Sequence, residues 1–92
     1  MLLKKGFMLK KILDDYMVVP TGDNIIDFSV AVSLNETGAF LWKQLESEKT
    51  HEDLVLALSS EYGVLPENVD SDVSVTINGM ERNSMLFSPL LY

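Results

Sequence analysis

The chain has 92 residues, of which 47% are hydrophobic and 23% charged, with a formal net charge of −7 and no cysteine. This length and composition predict a single small globular domain over residues 1–92, and the missing cysteine excludes disulfides, thiolate metal ligands and thiol nucleophiles. Since no apolar run approaches the roughly 18 residues of a membrane span and lysines interrupt the N-terminal segment, we expect a cytoplasmic protein.

Charge is divided unevenly along the chain. Four lysines lie within the first eleven residues, whereas residues 14–92 carry all fourteen carboxylates against three cations. A nucleic-acid-binding surface needs clustered cations to displace the counterions of the phosphates. The acidic body therefore disfavours nucleic acid as a partner, and we interpret the N-terminal lysines as solvated residues beside the first strand.

The first third of the chain has the pattern of β-strands. Three apolar segments bounded by turn-forming residues occupy positions 8–13, 16–20 and 25–28. Asp14 and Asp15 separate the first two segments, and residues 21–24 predict a turn before the third. We therefore predict a three-stranded antiparallel meander, followed at residues 30–33 by a last extended piece that leads into a helix.

The first helix is predicted to begin at Asn35, because Asn35, or Ser33 just before it, can cap the amides of the first turn. The apolar positions that follow at helical spacing are Leu34, Gly38, Leu41, Trp42 and Leu45. Gly38 lies on this apolar side, where its missing Cβ lets another part of the backbone come close. Trp42 lies on the same stripe, so we interpret it as a core residue rather than a binding aromatic.

The second helix is predicted to begin after Thr50, whose hydroxyl can cap the first turn. Its buried stripe consists of Leu54, Val55, Leu58 and Tyr62. Gly63 is placed to end the helix in the left-handed conformation. Two short helices separated by residues 46–49 match a helix-turn-helix outline.

Pro66 opens a third helix that we expect to extend to Asn83. The apolar residues along one side of it are Val69, Val73, Ile77 and Met80. A strand is the alternative, because Val73, Val75 and Ile77 also alternate with polar residues and β-branched side chains are poor helix formers. The apolar tail at residues 85–92 is expected to fold back on the body or to pack on a second copy.

Several local sequences resemble the coenzyme PQQ synthesis protein D (PqqD) family. They are Leu34-Asn35-Glu36-Thr37-Gly38, Leu41-Trp42, Thr50 with Leu54 and Val55, and Glu61-Tyr62-Gly63-Val64 before Pro66. The resemblance extends from about Met8 to Leu86. It implies an α+β fold of the winged helix-turn-helix type, with an N-terminal three-stranded antiparallel sheet followed by three helices.

The same resemblance implies a non-catalytic recognition element for ribosomal precursor peptides, as in PQQ biosynthesis. Such a protein holds the leader segment of the precursor and presents it to a modifying enzyme, often a radical S-adenosylmethionine (radical SAM) enzyme. An extended peptide can add to an exposed strand edge, because that edge has unpaired N–H and C=O groups.

In the family, the edge is the third strand and the third helix forms the pocket wall. The implied peptide-binding residues are Ile25, Ile26, Asp27, Phe28, Asp72, Val73, Thr76, Ile77 and Met80. For Val73 and Ile77 a purely structural role in the core is the alternative. Asp27 and Asp72 are expected to pair with basic side chains of the peptide.

Catalytic and metal-binding patterns are not evident in the sequence. His51 is the only histidine, and its place in the first turn of a helix predicts a solvated surface residue. Consecutive helical side chains such as His51, Glu52 and Asp53 point about 100° apart and do not converge on a metal. We therefore expect neither an enzyme nor a cofactor. Two alternatives stay open: a homodimeric assembly module that exchanges residues 87–92, and a DNA-binding winged helix.

Overall fold

The computed structural model describes residues 1–22, 25–26, 32–83 and 85–87. Its elements in chain order are β1 (Leu2–Leu3), β2 (Phe7–Ile12), β3 (Asp15–Gly22), β4 (Ile25–Ile26), β5 (Val32–Leu34), α1 (Glu36–Gln44), α2 (His51–Tyr62), α3 (Pro66–Arg82) and β6 (Leu86–Phe87). An antiparallel sheet thus precedes three helices, which confirms the predicted α+β class.

β3 is the central strand of the larger sheet. β2 pairs antiparallel with one side of β3, from Phe7 opposite Pro20 to Ile12 opposite Asp15. β4 and β5 both pair antiparallel with the other side of β3, β4 near the end of that strand and β5 near its beginning. β4 and β5 therefore lie along the same side of β3.

The predicted turn over residues 21–24 is wrong at its first two positions. Thr21 and Gly22 belong to β3, where they pair with Ile26 and Ile25. The backbone N–H of Thr21 also donates to the carbonyl of Gly6 at 2.7 Å. Hydrogen bonds on both sides of the strand thus outweigh the local turn preference of these residue types. Residues 23–24 and 27–31 lie outside the described residues.

A second sheet joins the two ends of the described chain. Leu2 pairs with Phe87 and Leu3 with Leu86 in an antiparallel ladder. Leu86 is buried, as is Met85 before it. The described part of the tail therefore packs on the body, which is one of the two predicted outcomes; residues 88–92 lie outside the described part of the chain.

The helix starts follow the predicted capping residues. The N–H of Gly38 donates to Asn35 Oδ1 at 2.7 Å, so Asn35 rather than Ser33 caps α1. Thr50 caps α2, and Gly63 ends that helix in the left-handed conformation with φ 64°. Pro66 occupies the first turn of α3, where its missing N–H is not needed.

The hydrophobic core collects side chains from the sheet and from all three helices. Its most deeply buried members are Val18, Leu41, Leu45, Leu54, Leu58, Val73 and Met80. Trp42 is only 3% exposed and lies in this core, as predicted.

The third segment is a helix rather than the alternative strand. Its whole apolar stripe is buried, comprising Val69, Val73, Ile77 and Met80. Burial contributes about 1.5 to 3 kcal/mol for each large side chain, whereas an unfavourable helix former costs at most about 1 kcal/mol. Packing against the core therefore decides the conformation of this segment.

The cap of α2 predicts a pH-dependent contribution to stability. The backbone N–H of Thr50 donates to Asp53 Oδ2 at 3.0 Å and, more than any other contact, holds the pKa of the Asp53 carboxyl below its usual value. Because the folded state binds this proton less tightly than the unfolded state, the contact stabilises the fold at pH values above the unfolded-state pKa of about 3.9. The contribution is lost as the pH falls through the pKa of the folded state. We expect Asp53→Ala to lower the melting temperature near neutral pH, and this deficit to shrink as the pH falls below about 4.

Thermal unfolding followed by circular dichroism at several pH values measures this effect. Glu52→Ala is the matched control, because it removes a carboxylate from the same helical turn without breaking the capping box. An Asp53→Ala deficit that stays constant across the acid range would contradict the expectation.

Candidate functional site

Two sides of the larger sheet can accept a further strand. Among the described strands, β2 pairs only with β3, and so do β4 and β5 on the opposite side. β2 contains Lys10 and Lys11, and lysines on an edge strand oppose pairing with another chain. β5 has the uncharged sequence Val-Ser-Leu. The β5 edge is therefore the more receptive of the two.

A cavity of about 210 Å³ lies between β5 and α3, and we call it the β5–α3 groove. The strand side is lined by Val32, Ser33, Leu34, Asn35 and Gly38. The helix side is lined by Val75, Thr76, Gly79, Met80 and Asn83, with Met85 beside it. A strand edge thus lies directly beside a helical wall.

Two glycines shape this groove. A Cβ at Gly38 would lie 3.3 Å from Leu34 Cβ and 3.2 Å from Asn35 Oδ1, so glycine allows α1 to begin close against β5. The nearest atoms at Gly38 are side-chain atoms of Leu34 and Asn35, so the predicted close approach of another backbone is not seen at this position. A Cβ at Gly79 would meet no atom within 4 Å, so there is open space beside the α3 backbone at this position. A bound chain can approach the helix closely at Gly79.

The described lining of the groove is uncharged and partly apolar. Val75 is 66% exposed, which is high for a large aliphatic side chain. Thr76, Asn35 and Asn83 supply hydroxyl and amide groups around it. This surface suits an extended peptide segment whose side chains are mainly apolar and whose backbone adds to the strand.

The predicted residues of the third helix fall into three groups. Thr76 and Met80 line the β5–α3 groove. Val73 is fully buried in the core, and Ile77, 5% exposed, borders a different cavity on the other side of α3. Asp72 is exposed and lies one helical turn before Thr76 on the same face, beyond the lining of the groove.

Two of the four predicted strand residues, Ile25 and Ile26, lie on the same side of β3 as β5. Ile25 and Ile26 form β4 and pair with β3. Asp27 and Phe28 lie outside the described residues. The strand that borders the groove is β5, whose residues the sequence interpretation treated only as a lead into α1. The sequence feature that indicates β5 as a strand edge is its uncharged, extended pattern directly before the Asn35 cap.

The described residues include no group of three or more histidine, cysteine, aspartate or glutamate side chains able to hold a metal ion. His51 lies on the surface as predicted, with its Nε2 atom 2.8 Å from Asp70 Oδ1. This contact joins the first turn of α2 to α3. Within the described chain, every helix is too short or too polar to cross a membrane.

Comparison with known proteins agrees with this architecture. The solved structure of TbiB1 in complex with the TbiA(beta) leader peptide matches with a TM-score of 0.69, covering 94% of this chain and 94% of that chain at 21% sequence identity. The two proteins therefore share a fold. No curated protein matches the chain.

The family model described as coenzyme PQQ synthesis protein D (PqqD) matches residues 16–86, from β3 to β6. This range contains the β5–α3 groove and all three helices. It confirms the resemblance found in the sequence. The chain therefore belongs to the coenzyme PQQ synthesis protein D family.

Proposed function

We propose that this protein is a non-catalytic carrier that binds the leader segment of a ribosomal precursor peptide. The peptide adds as a strand to β5 and places its side chains in the β5–α3 groove. The observation that carries the proposal is the uncharged edge of β5 beside an open helical wall. Membership of the PqqD family and the shared fold with TbiB1, which was solved with a leader peptide, support it.

A difference in charge between the two edges explains why the peptide prefers one side of the sheet. Lys10 and Lys11 on β2 oppose strand addition, while β5 has only aliphatic and hydroxyl side chains. The larger sheet is antiparallel throughout, so a further antiparallel strand continues its pattern. The acidic body of the chain continues to disfavour the DNA-binding alternative.

Energetics favour a moderate affinity. Each added backbone hydrogen bond contributes about 0.5 to 1.5 kcal/mol, whereas ordering each peptide residue costs about 1 to 2 kcal/mol. Strand addition alone therefore gives little net binding. Burying two or three apolar side chains, at about 1.5 to 3 kcal/mol each, brings the dissociation constant to the order of micromolar. Such an affinity suits a carrier that must release its cargo.

The neighbouring charges suggest which peptides fit. The middle of the bound segment meets uncharged lining residues, so it is apolar or neutral. Asp72 lies beyond the Thr76 end of the groove and is placed to pair with a basic residue that flanks this segment.

The partner that receives the peptide is a modifying enzyme, a radical SAM enzyme by analogy with the family. The complex forms in the cytoplasm, where the precursor is synthesised.

Fluorescence anisotropy tests the proposal. The ligand is a labelled peptide encoded by a short reading frame beside the gene for this protein. We expect a dissociation constant on the order of micromolar, and binding at least about tenfold weaker for a scrambled peptide of the same composition. Equal affinity for the two peptides would contradict sequence-selective binding.

A further inference from the structure

A second cavity lies across α3 from the β5–α3 groove. It has a volume of about 480 Å³, and we call it the α2–α3 cleft. Its α3 side consists of Ser74, Ile77, Asn78 and Glu81, and its other side consists of Met1, Glu48, Thr50 and His51. The two cavities share α3 as a wall but have no described lining residue in common.

The walls of the α2–α3 cleft are fixed by hydrogen bonds between separate parts of the chain. His51 at the start of α2 contacts Asp70 of α3 at 2.8 Å. The segment before α2 is tied to the N-terminal strand region, since the N–H of Lys49 donates to the carbonyl of Met1 at 2.9 Å. A site held in this way needs little rearrangement on binding, which lowers the entropic cost.

The described lining of the cleft has a net negative charge, with two carboxylates against one ammonium group. The N-terminal ammonium of Met1 pairs with Glu48 at 2.7 Å, so Glu81 accounts for this net charge. The carboxylate of Glu81 is exposed at the cleft, and the largely buried Ile77 lies one helical turn before it on the same wall. An apolar stripe flanked by lysine or arginine matches this combination in both hydrophobicity and charge. A second copy of this acidic chain, or a nucleic acid, would instead be repelled.

We infer that the α2–α3 cleft docks a cationic amphipathic helix of a partner protein. This partner is the enzyme that receives the peptide, an identification that rests on the proposed carrier function. Thr76 and Met80 face the bound peptide, whereas Ile77 and Glu81 of the same helix face the docked partner. The two ligands then lie about one helix diameter apart, roughly 10 Å. The arrangement brings the peptide and the enzyme together without competition for one surface.

A synthetic amphipathic helix of leucine and lysine, with leucines at i, i+3, i+4 and i+7, serves as the probe. We expect it to bind the protein in a titration followed by backbone amide NMR, with the largest shifts at Ser74 and Asn78. Glu81→Lys is expected to weaken this binding about tenfold, because it replaces an attractive charge by a repulsive one. Glu61→Lys is the matched control, since it makes the same charge change at the far end of α2, and its effect is expected to stay below about threefold.

Three results would overturn the inference. The first is failure of the probe to bind the unmodified protein. The second is an equal loss of binding in Glu61→Lys and Glu81→Lys, which would indicate unspecific attraction to the acidic body. The third is loss of leader-peptide binding in Glu81→Lys, because the two surfaces would then not be separate. Failure of the unmodified protein to bind any leader peptide, with the probe still bound at the cleft, would instead contradict the proposed carrier function alone.

Discussion

Gly79→Trp is expected to abolish leader-peptide binding while leaving the protein folded. Gly79 lines the β5–α3 groove, and its Cβ position is free of other atoms within 4 Å. An indole ring can be accommodated there without disturbing the core, but it occupies the space of the peptide. In a groove of about 210 Å³, we expect the dissociation constant to rise at least about a hundredfold. Anisotropy with the labelled leader peptide measures this change.

Gly79→Ala is the matched control for the tryptophan variant. The added methyl group meets open space, and alanine in place of glycine within a helix stabilises a protein by about 0.5 to 1 kcal/mol. We expect a higher melting temperature and nearly unchanged peptide affinity. Unchanged affinity in a folded Gly79→Trp variant would show that the peptide binds elsewhere.

Val73→Asp is expected to unfold the protein. Val73 has no exposed surface and lies in the core with residues of the other helices. A carboxylate at this position loses its hydration and gains no hydrogen-bond or ionic partner among the described residues, which costs several kcal/mol. Because a small domain is stable by only about 5 to 15 kcal/mol, most or all of its stability is lost. Circular dichroism and chemical denaturation measure the effect.

The neighbouring Asp72 provides the control for this substitution. Asp72 is exposed, and Asp72→Ala is expected to change the free energy of unfolding by less than about 0.5 kcal/mol. A Val73→Asp variant that remains folded and has lost only peptide affinity would contradict the core position of Val73. It would favour the role in peptide binding that the sequence resemblance implies.

The helices could be predicted from the sequence because their signals are local. Asn35, Thr50, Gly63 and Pro66 define helix ends through contacts within a few residues of themselves. The sequence alone does not decide the conformation of α3, since its β-branched residues fit a strand as well as a helix. Only packing against the core, which depends on distant parts of the chain, decides between them.

Long-range pairings could not be predicted in the same way. β1 and β6 have two residues each and lie at opposite ends of the described chain, so neither has a periodic pattern of its own. The same limit applies to the candidate site. Helical spacing placed Val73, Ile77 and Met80 on one stripe, but which neighbouring positions of α3 face β5 depends on how the helix packs on the sheet. Thr76 therefore lines the groove, whereas Val73 lies in the core.

Amide hydrogen exchange with and without the leader peptide tests strand addition at β5 most directly. Backbone amides at a strand edge are protected when a further strand pairs with them. We expect the peptide to slow exchange within Val32–Leu34 and to leave Phe7–Ile12 of β2 unchanged. Slower exchange along β2, with no change in β5, would contradict peptide binding in the β5–α3 groove.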